Sequence, residues 1–241
     1  MLRYLTARLA QTIDEELMGS TGAFSLDQLM ELAGLACAQT LATVYHRDVY
    51  PRVLVCCGPG NQGGDGLVAA RHLGMFGYRP TIYMPKPGSK DHYQRLQKQC
   101  ENMEIPIIPP SNDLEPLQKA LRNSDVILDA IFGFSFKPPM RAPFDTVIPL
   151  LNQSRLPIVS VDIPSGWDVE KGNDLGVGLQ PDVLVSLTAP KEGVKDFTGR
   201  HFLGGRFVPK YLEKKYELNL PPYPGHDQIV ELPSDKTPPK F

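Results

Sequence analysis

The chain has 241 residues, 41% of them hydrophobic, and 25 Lys+Arg against 27 Asp+Glu give a net charge of −2. That length buries a full core, most economically as one domain, while the balanced charge and lack of a dense Lys/Arg run exclude a nucleic-acid surface. No apolar run approaches the roughly 20 residues a membrane span needs. Cys37, Cys56, Cys57 and Cys100 have neither CxxC nor zinc spacing, so a reducing, cytoplasmic setting is expected.

Two helices come first. Tyr4 to Met18 is one; Arg3 and Arg8 with no acid before Asp14 resemble a mitochondrial presequence weakly, and an ordinary amphipathic helix is the preferred reading. Ser25 to about Tyr45 is the second, opened by the capping box Ser25-Leu-Asp-Gln28 and striped by Leu29, Leu32, Ala33 and Ala36. Short apolar runs follow at Val53–Cys57, Thr81–Met84, Ile105–Ile108, Val126–Ala130, Ile158–Val161 and Val183–Leu187. Helical patterns at Leu67–Phe76, Asp91–Asn102, Leu114–Arg122 and Phe144–Gln153 separate most of them. Short apolar strands without polar alternation fit a parallel sheet covered on both faces. The expected fold is therefore α/β: a three-layer, Rossmann-like, doubly wound and mostly parallel sheet with two N-terminal helices. One more short helix is expected at Tyr211–Tyr216, completing a domain over residues 1–218. The tail, 219–241, holds Pro221, Pro222, Pro224, Pro233, Pro238 and Pro239 and reads as extended or disordered.

Chemistry concentrates at the carboxyl ends of the strands, where open α/β sheets bind ligands. Gly58-Pro-Gly-Asn-Gln-Gly-Gly-Asp-Gly66 lies between a buried strand and a helix, a place where backbone N–H groups and the helix dipole receive phosphate. Gly58, Gly60 and Gly63 satisfy GxGxxG, but the acid expected at the end of the second strand is missing, since Thr81–Met84 runs into Pro85-Lys-Pro87. No Gly-Lys-Ser/Thr follows either, so the loop is neither a standard NAD clamp nor a Walker motif. Three acids fall at strand ends: Asp65, Asp129 and Asp162. Each singly reads as a turn cap. Together they repel one another unless a cation, a proton or hydrogen-bond donors offset them. The stiff loop Gly133-Phe-Ser-Phe-Lys-Pro-Pro139 offers Lys137 as a cation, and Pro164-Ser-Gly-Trp-Asp168 follows Asp162.

Three segments, Gly58–Gly66, Asp129-Ala-Ile-Phe-Gly-Phe-Ser-Phe-Lys137 and Val161-Asp-Ile-Pro-Ser-Gly-Trp-Asp168, together resemble the YjeF N-terminal domain, more specifically the NAD(P)HX epimerase family. The resemblance spans roughly residues 8 to 215. It implies a homodimer that interconverts the R and S forms of NADHX or NADPHX, reduced dinucleotide hydrated at C6 of the nicotinamide ring, for a separate S-specific dehydratase. It also implies that Asn61, Gln62, Gly63, Gly64, Asp65, the loop Gly133, Phe134, Ser135, Phe136, Lys137, Pro138 and Pro139, and Asp162 contact substrate. Gln62, Asp129 and Ser165 would hold potassium. Two departures are visible: Gln62 stands where asparagine is commoner, and Pro138 where many members have glycine. The location implied is cytoplasmic or mitochondrial. The C6 hydroxyl belongs to a carbinolamine, so the ring nitrogen can expel it as water and water can return to either face. That exchange needs an acid and a base, assigned here to Asp162 and Lys137. Replacing Asp162 with Asn is expected to remove epimerisation with the fold intact. The rival readings are a non-enzymatic binding domain on the same fold, disfavoured by the full set of polar residues, and a nicotinamide-dependent dehydrogenase, disfavoured by the missing ribose acid.

Overall fold

In the computed structural model, which describes residues 1–111 and 113–233, the run Arg52–Cys57 forms β1 in the interior of the sheet. Val53, Val55 and Cys57 enter one core while Leu54 and Cys56 enter another, as the two-residue period of a doubly covered strand requires. Before β1 come α1 (Ala7–Met18) and α2 (Leu26–Val44). After it come α3 (Asn61–Met75), β2 (Arg79–Tyr83), α4 (Asp91–Asn102), β3 (Ile107–Ile108), α5 (Glu115–Arg122), β4 (Val126–Ala130) and α6 (Phe144–Gln153). The chain then continues through β5 (Ile158–Val161), β6 (Val183–Leu187), β7 (Arg200–Gly204), α7 (Lys210–Lys215) and β8 (Ile229–Glu231). The strand order is β3-β2-β1-β4-β5-β6-β7-β8, parallel throughout except for β7 with β8. Helices α2, α3 and α4 cover one face; α5 and α6 cover the other. The expected three-layer fold is the observed one.

Three local differences have physical causes. The helix expected from Tyr4 begins at Ala7, because Leu5 is drawn into a parallel bridge with Lys191 and Thr6 caps the helix by accepting from Leu9 N. β7 and β8 lie in regions given no strand from sequence. The tail expected to be extended or disordered supplies β8, a three-residue strand too short for a periodic signature. It is held by pairing with β7, by burial of Ile229 and by a two-pronged Arg200–Glu231 ion pair at 2.8 Å. Pro238 and Pro239 of that tail lie outside the described residues.

The third difference matters most: α3 begins at Asn61, not Leu67, so most of the glycine loop is itself helix. Glycine is a poor helix former, and here close packing overrides propensity. A Cβ on Gly64 would sit 2.4 Å from Met30 Sδ of α2, and one on Gly66 2.6 Å from Ala130 Cβ of β4. The turn is tighter still, since a Cβ on Gly63 would lie 1.8 Å from the Gly58 carbonyl oxygen, whereas Gly60 has nothing within 4 Å. Gly63→Ala is therefore expected to cost about 3 kcal/mol or more, and Gly60→Ala less than about 0.5 kcal/mol, in urea unfolding. Equal effects would mean that the loop does not pack this way.

Candidate active site

The order of the parallel strands reverses between β1 and β4, and the crevice at such a switch point is where doubly wound sheets bind ligands. A cavity of about 490 Å³ opens there. The turn after β1 and the start of α3 supply Pro59, Gly60, Asn61, Gln62 and Asp65; the segment after β4 supplies Ile131 to Phe136. Asp162 enters from the end of β5, Thr188 and Lys191 follow β6, and Asp14 and Met18 come from α1. Tyr93 of α4 donates to Asn61 Oδ1 at 2.6 Å and fixes that side chain at the cavity wall.

The electrostatic centre is an ion pair. Lys191 Nζ lies 2.5 Å from Asp162 Oδ1, with the two side chains only 3% and 4% exposed. Backbone geometry presets the contact. Asp162 has φ 61, a left-handed conformation that aspartate tolerates better than most residues. Its Oδ1 also accepts from Leu187 N at 3.1 Å, while Lys191 Nζ donates a second bond to the Leu187 carbonyl at 2.9 Å. Phe134 lies over the ammonium, 5.6 Å from nitrogen to ring centre. The residue carrying the lysine is bridged to Leu5, so the N-terminal segment clamps it in place.

Asp65 is also buried in the cavity wall. Burial pushes its carboxyl well above the usual range, Asp162 and Asp14 raise it further, and Lys191 opposes. Such an environment favours the protonated form of the carboxyl. Asp129 lies beneath, fully buried, and does not reach the cavity. Its two oxygens accept from the Ser160 hydroxyl (2.8 Å), the Ser165 hydroxyl (2.6 Å), Ser165 N (2.9 Å) and Ile131 N (3.2 Å). Burial raises its carboxyl, and these hydrogen bonds oppose the shift. No ion pair reaches Asp129 among the described residues. Gln62 Nε2 donates to the Val161 carbonyl, which brings that amide to the same floor.

The structure therefore brings together most of the residues read from sequence. Asn61, Gln62, Asp65, Gly133, Phe134, Ser135, Phe136 and Asp162 line the cavity. Gly63 and Gly64 stand behind it as packing positions, and Asp129 and Ser165 underlie it. Lys137, expected as the site cation, is exposed and does not line the cavity, and neither do Pro138 and Pro139. The cation facing Asp162 is Lys191, four residues beyond β6, a loop position after a strand that nothing in the local sequence distinguishes from that of Lys137. Asp14 was missed too, although an acid among Ala10, Ile13 and Leu17 on the buried face of α1 is a visible irregularity. Trp167 turns away, donating to the Leu179 carbonyl at 2.7 Å.

The sequence and the fold have close counterparts. Residues 26–193 match the family described as YjeF-related protein N-terminus. The NAD(P)H-hydrate epimerase of Cryptococcus neoformans is 59% identical, covering 96% of this chain and 98% of that protein. The one of Puccinia graminis f. sp. tritici is 61% identical, over 96% and 94% respectively. The crystal structure of yeast ynu0, YNL200c, superposes with a TM-score of 0.89 at 41% identity, covering 96% of this chain and all of that one (100%). The chain belongs to the YjeF-related protein N-terminus family.

Proposed function

We propose that this chain is an NAD(P)H-hydrate epimerase. The observation that carries the reading is the buried Asp162–Lys191 pair in the cavity at the switch point of the sheet, in a chain whose relatives of nearly equal length bear that name. A hydrated reduced nicotinamide holds its hydroxyl on the carbon next to the ring nitrogen, because the ring is an enamine and water adds to its iminium form. Epimerisation breaks that C–O bond as the nitrogen lone pair forms C=N⁺, then lets water return on the other face. The start of α3 with Gly60 and Asn61 faces the cavity and suits the pyrophosphate. Asp162, whose second oxygen accepts no hydrogen bond among the described residues, takes the proton from the returning water and faces the ring cation with negative charge. Lys191 holds that carboxylate in position; the sequence reading had given this place to Lys137. The proton that lets the oxygen depart comes from a second carboxyl of the cavity wall, where Asp14 and Asp65 both stand.

The proposal includes potassium held by Gln62, Asp129 and Ser165. Asp129 is a buried carboxyl with no ion-pair partner among the described residues, and the side-chain oxygens of Gln62 and Ser165 suit a hard monovalent cation. When bound, the ion would balance that charge beneath the substrate floor. Exchanging potassium for tetramethylammonium is expected to lower the unfolding midpoint by about 2–4 °C, and Asp129→Asn to erase the difference. An unchanged midpoint would remove the ion from the proposal. The reading further includes a homodimer and a separate dehydratase that consumes the S form.

The test starts from mixed R and S hydrate exhausted of S by excess S-specific dehydratase. Addition of this protein with potassium is expected to produce a fresh rise in NADH absorbance above the spontaneous rate. No rise from folded protein that binds the hydrate would favour a binding module on the same fold.

A further inference from the structure

We propose that Asp14, on α1, is a further catalytic residue of this cavity: an acid/base carboxyl that exchanges a proton with the substrate oxygen from a wall that the sheet does not supply. The inference rests on the epimerase reading. Asp14 lies outside the residues matched to the family, 26–193, and outside every motif in the sequence.

Its placement is set by structure. Ala10, Ile13 and Leu17 bury one face of α1. Asp14 and Met18, one helical turn apart at the margin of that face, line the cavity. The helix is locked beside the ion pair, because Leu5 N donates to the Pro190 carbonyl at 2.8 Å and Glu192 N to the Leu5 carbonyl at 2.9 Å, on either side of Lys191. Among the described residues Asp14 makes no hydrogen bond or ion pair, so no structural bond accounts for a carboxyl in this position. The charged groups facing it are Asp65 from α3, Asp162 after β5 and Lys191 after β6, with Glu15 on its own helix; Lys90 and Tyr93 of the α4 end line the same cavity. Lys191 is committed to Asp162 and cannot neutralise a second carboxylate at the same contact. Burial, with Asp162 and Glu15 adding to it and Lys191 opposing, pushes the Asp14 carboxyl up to about 6.

Epimerisation explains the need for such a group. The oxygen leaves one face of the ring and returns to the other, so proton exchange is required on two sides. In one direction the Asp14 carboxyl gives its proton to the hydroxyl. The C–O bond breaks with its electron pair going to oxygen, and water leaves. The nitrogen lone pair forms C=N⁺. Water then adds on the side of Asp162, the C=N pair returns to nitrogen and Asp162 takes the proton. The proton gained by Asp162 returns to Asp14 through solvent in the cavity before the next turnover in the same direction, which closes the balance; in the reverse direction the two carboxyls exchange roles.

The experiment compares wild type, Asp14→Asn and Asp14→Glu, full chain, with purified R hydrate as substrate and the epimer ratio read by chromatography from about pH 5 to pH 8. Asp14→Asn is expected to lower kcat about 100-fold with KM changed by less than about threefold. It should also abolish the titration of the rate near 6. Asp14→Glu should retain that limb and most of kcat. The group takes up its proton at about 6 when folded against an ordinary 3.8, so ionising it costs stability as pH rises between those values. Asparagine carries no such cost, and the variant's unfolding midpoint at pH 7 is expected at or above wild type. A wild-type kcat and an intact limb in Asp14→Asn would overturn the proposal. So would a rate loss accompanied by a lower midpoint that Asp14→Glu does not rescue, which is the signature of a structural role. A wild-type chain without activity would overturn the epimerase reading itself, and the proposal with it.

Discussion

Asp162→Asn is expected to lower kcat/KM for epimerisation by roughly 10²–10⁴-fold and, unlike the expectation from sequence, to destabilise the fold. Asparagine tolerates the left-handed backbone at this position, where φ is 61, and its amide oxygen can still accept from Leu187 N. What it lacks is charge. Lys191, 3% exposed, then keeps neutral oxygen partners, such as the Leu187 carbonyl, but faces no opposite charge at this contact. Removing one member of a buried pair costs about 3–5 kcal/mol, and the retained hydrogen bonds place this variant toward the lower end. Urea unfolding measures that loss, and the coupled epimerase assay measures the rate. Unchanged turnover would take Asp162 out of the chemistry. Unchanged stability would mean that Lys191 is hydrated rather than buried against it.

Lys191→Met is expected to be inactive and to lose about 3–5 kcal/mol by leaving Asp162 as the unpaired charge. The informative variant is the double one, Asp162→Asn with Lys191→Met. It removes both charges, so much of the stability should return: the coupling between the two substitutions is expected at about 2–3 kcal/mol in urea unfolding. Activity should not return, because no carboxylate remains at the end of β5 to take the proton. Additive losses in stability would mean that the two groups act independently. A double variant that turns over substrate would place the chemistry on Asp65 and Asp14 alone. The same comparison separates Lys191 from Lys137. Lys137 is exposed and lies off the cavity, so Lys137→Ala is expected to leave stability unchanged within about 0.5 kcal/mol.

The unequal legibility of these residues has a physical basis. The strands Val126–Ala130, Ile158–Val161 and Val183–Leu187 were readable to the residue because each is a short apolar run buried on both faces. Asp129 and Asp162 announced themselves as charges at the ends of such runs. The glycine segment was readable as a turn, but its conversion into the first turns of α3 was not. Propensity argues against helix there, and only the approach of Met30 and Ala130 makes glycine necessary. β8 was hidden for a related reason. Ile229-Val-Glu231 carries no period of its own and becomes a strand because the edge of β7 offers backbone partners and Arg200 pairs with Glu231.

By itself the sequence determined the layered α/β fold, the crevice in which chemistry collects and the acids at its floor, since all three follow from local pattern: apolar runs, glycine placement and charges at strand ends. Tertiary structure alone decided which lysine faces Asp162. Lys137 and Lys191 are both lysines on loops beyond strands, and the sequence offered no means of ranking them. The choice rests on the path of the chain after β6 and on the bridge from Leu5, a contact between residues 5 and 191 that local pattern cannot register. The same long-range clamp carries Asp14 into the cavity. A charge acquires its chemistry from the groups and the solvent around it, and those surroundings are assembled only when distant segments pack.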